Sequence, residues 1–183
     1  MSERTQKILV VEPDAEILEI LVASLSRRFD AHITCVSDAV SCLDVEVVEP
    51  HDLIISEIEL EGEDGLQLAR QLMSLSARPV ILMAEDLSTR QAVEALRLRV
   101  WEILEKPFPV DELLESAERA MHGFELRRRR AARYRRMREL VRRVIQERRH
   151  LKQRMELVCQ DFVGAHKRLV QRVAALEQSR TAG

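Results

Sequence analysis

The first two-thirds of the chain alternate short apolar runs with segments in which apolar residues recur at helical spacing. Apolar runs that contain β-branched residues predict strands at residues 7–11, 31–36, 53–55, 79–84 and 100–104. Continuous runs of this kind are typical of strands that are buried on both faces, as they are in parallel sheets.

Between the predicted strands, the apolar residues predict one buried face for each helix. These faces comprise Ile17, Leu18, Leu21, Val22 and Leu25; Leu66, Ala69, Leu72 and Met73; and Ala92, Val93, Leu96 and Val100. Asp38 is suited to cap a second helix, and either Asp86 or Ser88 to cap the fourth. Strand and helix alternate five times, which predicts an α/β fold: a doubly wound five-stranded parallel sheet with helices on both faces.

After residue 110 the pattern changes to that of one long helical segment. Asp111 can begin a helix that turns Leu113, Leu114, Ala117 and Met121 toward the sheet. Gly123 and Gly164 are the only helix-breaking residues that follow, up to Thr181. We therefore divide the chain into an α/β domain at residues 1–121 and a helical extension at residues 122–183.

The extension carries a heptad seam of about five repeats, with a single arginine inside it. Alternating spacings of four and three link Met137, Val141, Val144, Arg148, Leu151, Met155, Val158, Phe162, Ala165 and Leu169. A seam this apolar predicts self-association. Two geometries stay open: a parallel dimeric coiled coil, or a helical hairpin bent near Gly123 or Gly164.

Charge separates the same two parts of the chain. Residues 1–116 contain 10 Lys and Arg against 24 Asp and Glu, a balance of 10 − 24 = −14, while residues 117–183 contain 19 against 7, a balance of +12. Two halves of opposite sign indicate two functional units. The arginine cluster includes Arg127, Arg128, Arg129 and Arg130, which favours contact with an acidic partner.

Other features of the composition narrow the possible functions. Aromatic residues make up 3% of the chain, which argues against a stacking platform for single-stranded nucleic acid. Cys35, Cys42 and Cys159 have no metal-ligand spacing, and their odd number fits a reducing compartment. With no apolar run of signal-peptide or transmembrane type, we expect a soluble cytoplasmic protein without membrane partners.

Four polar or small residues come at the carboxyl ends of predicted strands: Glu12, Glu57, Ala84 and Lys106. The functional crevice of a parallel α/β sheet lies beyond these ends. We therefore expect the four residues to meet there.

The spacing of these residues resembles the receiver domain of bacterial two-component response regulators. Glu57 is followed by Asp64-Gly65, and later by Lys106-Pro107-Phe108, and the resemblance covers roughly residues 7–121. It implies a phosphate acceptor, normally aspartate, at position 57, with the family's first acid at Glu12 and its lysine at Lys106. It also implies a cis bond before Pro107 and a glycine at position 65 that serves a turn.

The sequence departs from that receiver pattern at the positions that take part in phosphoryl transfer. Pro13 stands at the direct metal-ligand position, Ala84 at the hydroxyl position and Ile103 at the aromatic position, and Glu57 is one methylene longer than aspartate. We expect Asp14 to cap a helix, Glu57 to pair with Lys106, and Trp101 to lie at the surface or contact a partner. The resemblance thus implies a receiver fold that has lost, or nearly lost, phosphoryl transfer.

Three hypotheses follow. In the first, the protein is a non-enzymatic signalling adaptor, without cofactor, that dimerises through its extension and binds signalling proteins through the face at residues 92–113. In the second, Glu57 is a genuine phospho-acceptor with Mg²⁺ held by Glu12 and Asp14. In the third, the arginine-rich helix binds nucleic acid, and we rank this below non-specific binding to an acidic protein. His166 lacks the flanking pattern of a phosphorylatable histidine and is assigned to the surface.

Overall fold

The computed structural model describes residues 5–60, 62–75 and 77–181. The chain forms two compact units, Met1–Arg128 and Arg129–Gly183, which are described separately.

The first unit is built on a five-stranded parallel sheet in the order β2-β1-β3-β6-β7. Its strands are β1 (Gln6–Val11), β2 (Ala31–Val36), β3 (Leu53–Glu57), β6 (Val80–Ala84) and β7 (Glu102–Glu105). A small antiparallel pair, β4 (Glu59–Leu60) and β5 (Glu63–Asp64), follows β3. The predicted parallel sheet is confirmed, although its last strand begins at Glu102 rather than at residue 100.

The helices alternate with the strands, and their starts follow from local side-chain chemistry. They are α1 (Ala15–Arg28), α2 (Ala39–Val48), α3 (Gly65–Leu75), α4 (Thr89–Leu98) and α5 (Val110–Thr181). Asp14, Asp38 and Ser88 cap α1, α2 and α4 by accepting hydrogen bonds from backbone N–H groups of the first turn. Ser88, and not Asp86, is the cap of α4, where it forms a capping box with Gln91.

The core lies in two layers because successive residues of each strand point to opposite faces of the sheet. Leu9, Ile54 and Leu82 pack on one face with residues of α2, α3 and α4. Ile8, Ile55 and Ile81 pack on the other face with α1 and the first turns of α5. The predicted inward positions Leu113, Ala117 and Met121 of α5 are buried.

The predicted inner face of α4 is partly wrong. Val93 and Leu96 are exposed, whereas Ala95 is fully buried and Leu98 packs against the core. The inward side of the helix is therefore formed by Ala95 and Leu98. The small Ala95 carried a weaker apolar signal than the larger Val93 and Leu96 beside it.

The second unit is the distal part of α5, which continues as helix through Gly164. The described part of α5 has no break at either glycine, so the structure contradicts the alternative of a hairpin bent there. The apolar seam is open to solvent, with every large apolar member at least 50% exposed. Those members are Met137, Val141, Val144, Leu151, Met155, Val158, Phe162 and Leu169. The coiled coil stays a prediction.

Within the described residues, no helix is both long enough and apolar enough to cross a membrane.

Candidate functional site at the carboxyl ends of the strands

The sheet brings the four expected positions to one edge. Glu12 follows β1, Glu57 ends β3, Ala84 ends β6 and Lys106 follows β7. The Lys106 N–H donates to the Ala84 carbonyl over 2.7 Å, which continues the pairing of the last two strands. The predicted convergence of these residues is therefore present in the fold.

The Glu57 carboxylate is buried and held by several contacts. Its side chain is 5% exposed. Oε1 accepts from the Ile58 N–H at 2.7 Å and from the Glu59 N–H at 3.2 Å. Oε2 lies 2.6 Å from Lys106 Nζ. The angle of the contact between Oε2 and Lys106 Nζ is poor for a hydrogen bond, but two full charges at this separation form an ion pair.

Lys106 is shared between two carboxylates. Its Nζ donates to Glu12 Oε2 at 3.0 Å, and the side chain of Glu12 is 3% exposed. The other Glu12 oxygen, Oε1, accepts from the Asp14 N–H at 3.1 Å. The predicted pair of Glu57 with Lys106 is confirmed, and the structure adds Glu12 to it as a third member.

The environment of Lys106 keeps the lysine protonated. Burial by itself would lower the pKa of Lys106. The hydrogen bond to Glu12 and the negative charges of Glu57 and Glu12 outweigh burial, so the pKa of Lys106 is raised above its ordinary value. The cluster thus consists of two buried acids and one cation at neutral pH.

Asp14 belongs to the helix and not to this cluster. Its Oδ1 accepts from Glu16 N–H at 2.8 Å and from Ile17 N–H at 3.1 Å. The carboxylate is exposed and is used as the N-cap of α1, as predicted. Pro13, between Glu12 and Asp14, is exposed and has no side-chain oxygen to offer.

Gly65 supports the site, although not for the predicted reason. Its φ is not positive; among the described glycines that conformation occurs at Gly62. A Cβ at position 65 would lie 2.4 Å from the Glu57 carbonyl oxygen and 2.7 Å from Ile58 Cα. Only glycine lets the start of α3 approach the backbone at Glu57 this closely. Asp64 Oδ1 accepts from the Leu66 N–H at 2.9 Å and so fixes the same turn.

The residues present do not fit a Mg²⁺ ion. Mg²⁺ requires octahedral oxygen ligation with near-ideal geometry. Here the Lys106 ammonium lies between the carboxylates that would supply the oxygens, and Pro13 adds no ligand. In the described part of the chain, no three His, Cys, Asp or Glu side chains are grouped as metal ligands.

Residues 8–118 match a family described as the response regulator receiver domain. The chain belongs to this family. Its members act in two-component signalling.

Two relatives match the chain in this region. The C4-dicarboxylate transport transcriptional regulatory protein DctD of Pseudomonas aeruginosa is 31% identical over 116 residues, which make up 63% of this chain and 25% of that protein. Protein PetR of Rhodobacter capsulatus is 32% identical over 114 residues, or 62% of this chain and 48% of that protein. The chain therefore spans between a quarter and a half of the length of these relatives.

The fold has also been seen in solved structures. The CheY-like response regulator receiver domain protein from Methanospirillum hungatei has a TM-score of 0.65 at 21% identity, over 68% of this chain and 99% of that one. At this identity the likeness shows the fold alone. The peptide between Lys106 and Pro107 is cis, as the receiver resemblance implied.

Trp101, which comes just before β7, was expected to lie at the surface or contact a partner. Trp101 does not lie free at the surface: it packs with the core layer that contains α1 and the first turns of α5. Its ring lies against Gly123, and Arg127 Cζ lies 5.6 Å from the ring centroid in a cation–π contact. Ile103 is half-buried and packs against the opposite layer.

The arginine cluster is partly engaged within the receiver unit. Arg127 lies over Trp101, and Arg128 contacts Glu125 at 3.0 Å and Asp52 at 3.7 Å. Arg129 and Arg130 are exposed. The proposed role of this cluster in contacting an acidic partner stays a prediction.

A second buried polar cluster lies near the amino ends of β3 and β6, and the sequence did not predict it. His51 Nδ1 lies 2.9 Å from Glu46 Oε2, His51 Nε2 lies 2.9 Å from Thr34 Oγ1, and Arg78 pairs with Glu46. Glu46 and His51 are both at most 3% exposed. Glu46 sits in a largely apolar helix, which was the available signal. The cluster fastens α2 to β2 and to the segment before β6.

Proposed function

We propose that this protein is a signalling adaptor of the receiver family whose output does not depend on phosphorylation, and that it has no enzymatic activity. One observation carries the proposal. The Lys106 ammonium is bound to two buried glutamates, at 2.6 Å from Glu57 and 3.0 Å from Glu12, at the place where a receiver would bind Mg²⁺ and phosphoryl oxygens.

The identity of the acceptor residue supports this proposal. Glutamate carries its carboxylate about 1.5 Å further from the backbone than aspartate does. A misplacement of about 1 Å can cost on the order of 10²-fold in the rate of a positioned reaction. In addition, Oε1 of Glu57 already accepts hydrogen bonds from two backbone N–H groups.

The hydroxyl and aromatic positions of the receiver pattern support the same proposal. Ala84 has no hydroxyl to hold a phosphoryl oxygen, and Ile103 has no aromatic ring. Catalysis of phosphoryl transfer is mainly positioning and charge neutralisation, so loss of these groups removes most of what a receiver supplies. The Glu57–Lys106 pair then holds the receiver in one state and leaves its α4–β7–α5 face permanently presented to a protein partner.

The helical extension completes the proposed adaptor. The seam from Met137 to Leu169 exposes its apolar side chains in the second unit, and such a surface is stable in water only when covered. We assign its cover to a second copy of the chain, so that the adaptor is a homodimer.

The central part of the proposal is tested by intact mass after incubation with acetyl phosphate and Mg²⁺. The wild-type protein should keep its mass. A matched variant that carries Pro13→Asp, Glu57→Asp and Ala84→Thr restores the acid, the acceptor and the hydroxyl, and should gain one phosphate. A stable phosphate mapped to Glu57 in the wild type would reject the proposal and favour a conventional Mg²⁺-dependent acceptor.

Nucleic-acid binding is a second candidate, favoured by the exposed arginines of α5. Arg133, Arg135, Arg136, Arg138, Arg142 and Arg143 are exposed. The relative DctD is named as a transcriptional regulatory protein, but the chain matches only 25% of it. Gel shifts in a salt series test this candidate, since phosphate contacts give a steep dependence on salt. Weak binding without that dependence on salt would reject nucleic-acid binding as a function.

A further inference from the structure

The exposed seam of the second unit is a heptad stripe of apolar residues interrupted by one polar residue. In heptad notation Val141, Arg148, Met155, Phe162 and Leu169 occupy a positions, and Met137, Val144, Leu151, Val158 and Ala165 occupy d positions. The apolar members other than Ala165 are 50% to 76% exposed. Arg148 at an a position is the exception, and a single polar a residue is known to set register and strand number at a cost in stability.

We propose that the partner of this seam is a second copy of the chain, parallel and in register, and that Glu147, Arg148 and Lys152 form the layer that fixes the register. The inference rests on the dimer in the proposed function and adds its orientation and alignment. In this arrangement, Glu147 at g lies beside Arg148 at a of the other copy. It also faces Lys152 at e of the next heptad of that copy.

The charges next to the seam fit this parallel pairing. Besides Glu147 with Lys152, the g-to-e pairs bring Asp161 to His166 and Leu140 to Ile145. The pair of Arg133 with Arg138 is unfavourable, but it lies at the N-terminal end, where the apolar seam only begins. The aliphatic part of the Arg148 side chain of each copy can lie along the apolar seam, while its guanidinium group reaches a Glu147 carboxylate at the edge of the seam.

An antiparallel pair over the same seam fits the charges poorly. If residues 137–169 overlap fully, g positions face g and e positions face e. Glu147 of one copy then faces Asp161 of the other. Arg154 faces Arg154 of the other copy, and Lys152 faces Lys152 of the other copy. Like charges in such positions are destabilising. The sequence of the described seam therefore selects against the antiparallel dimer.

Cysteine cross-linking of the full chain tests the orientation and the register. In a background with the exposed Cys35 and Cys159 changed to serine, Val144→Cys and Val158→Cys each place one thiol at a d position. In the parallel pair, the introduced cysteine of each variant should form a disulfide with the same cysteine of the other copy under mild oxidation. In the antiparallel pair the two copies of either thiol would be roughly 15–27 Å apart along the axis, from a 1.5 Å rise per residue, and no disulfide would form.

Charge reversal tests the polar layer. Glu147→Lys should raise the dimer dissociation constant at least about tenfold, because it places like charges beside Arg148 and Lys152. Glu139→Lys makes the same change of charge at an f position away from the seam, and should alter the constant by less than about threefold. Arg148→Leu should tighten the dimer, because the polar layer costs stability.

Sedimentation of the same proteins separates the possible failures. A monomeric wild-type chain at micromolar concentration would overturn both the inference and the dimer in the proposed function. A dimer that fails to cross-link at positions 144 and 158 would overturn the inference alone. Equal effects of Glu147→Lys and Glu139→Lys would remove the assigned layer.

Discussion

At the scale of single residues, the site depends on one lysine between two buried acids. Glu12 and Glu57 are each at most 5% exposed on their side chains, and Lys106 contacts both. Backbone N–H groups of Asp14, Ile58 and Glu59 satisfy further carboxylate oxygens. Removal of one partner from a buried pair is costly because it leaves an uncompensated charge.

We therefore expect Lys106→Met to destabilise the receiver unit by about 3–5 kcal/mol. Lys7→Met is the matched control, because the ion pair of Lys7 with Glu49 is more exposed, and its loss should cost less than about 1 kcal/mol. Urea unfolding at neutral pH measures both. Equal costs for the two variants would show that the buried cluster contributes no more than a surface pair.

The raised pKa of Lys106 predicts a dependence on alkaline pH. A lysine whose pKa is higher in the folded protein stabilises it below the unfolded value, about 10.4, and this stabilisation is lost as pH rises through the folded pKa. The difference in unfolding free energy between wild type and Lys106→Met should therefore be constant near neutral pH and shrink in the alkaline range. A difference that grows with pH would contradict this account.

The sequence was enough to predict the meeting of Glu57 with Lys106, because strand ends in a parallel sheet converge. It did not predict that Glu12 shares the lysine, since that depends on side-chain paths from separate loops. The need for glycine at position 65 was also predicted for the wrong reason. Its cause is the close approach of the Glu57 carbonyl, which only packed coordinates reveal.

At the scale of elements, the start of α5 is fitted to the sheet through Trp101 and Gly123. A Cβ at position 123 would lie 2.9 Å from Trp101 Cη2, a distance that requires the ring to shift. The sequence offered Gly123 as a helix breaker, yet the helix passes through it. Its function is to make room for the tryptophan, and periodicity carries no information about such a contact between elements.

We expect Gly123→Ala to destabilise the receiver unit by about 1–3 kcal/mol through overpacking, despite the higher helix propensity of alanine. Gly164→Ala is the control, because the nearest atom to its new Cβ is the flexible Arg168 guanidinium at 3.5 Å. That change should raise helix stability by up to about 1 kcal/mol. Trp101 is the sole tryptophan, so its fluorescence should change in Gly123→Ala and not in Gly164→Ala.

Element types were predictable because strand and helix periodicities differ so clearly along the first unit. The inner face of α4 was not, because its buried residue Ala95 is small and the exposed Leu96 is large. Apolar exposure of this kind follows from how a helix lies on the sheet. Hydrophobicity along the sequence cannot distinguish a leucine for the core from one for a partner.

At the scale of the whole molecule, an acidic receiver unit is combined with a basic helix that exposes an apolar seam. If the chain is the proposed homodimer, Leu151→Asp, at a d position, should make it monomeric. Gln153→Asp adds the same charge at an exposed f position and should leave the dimer intact. Sedimentation equilibrium measures both, and a dimer that persists in Leu151→Asp would place the interface elsewhere.

The central claim is that this receiver does not bind a metal-supported phosphoryl group at Glu57. It is tested most directly by a crystal structure of the full chain soaked in Mg²⁺ and beryllofluoride. The account predicts that Lys106 Nζ stays within about 3 Å of both Glu12 and Glu57, with no ion beside them. An octahedral Mg²⁺ with beryllofluoride bonded to the Glu57 carboxylate would contradict it.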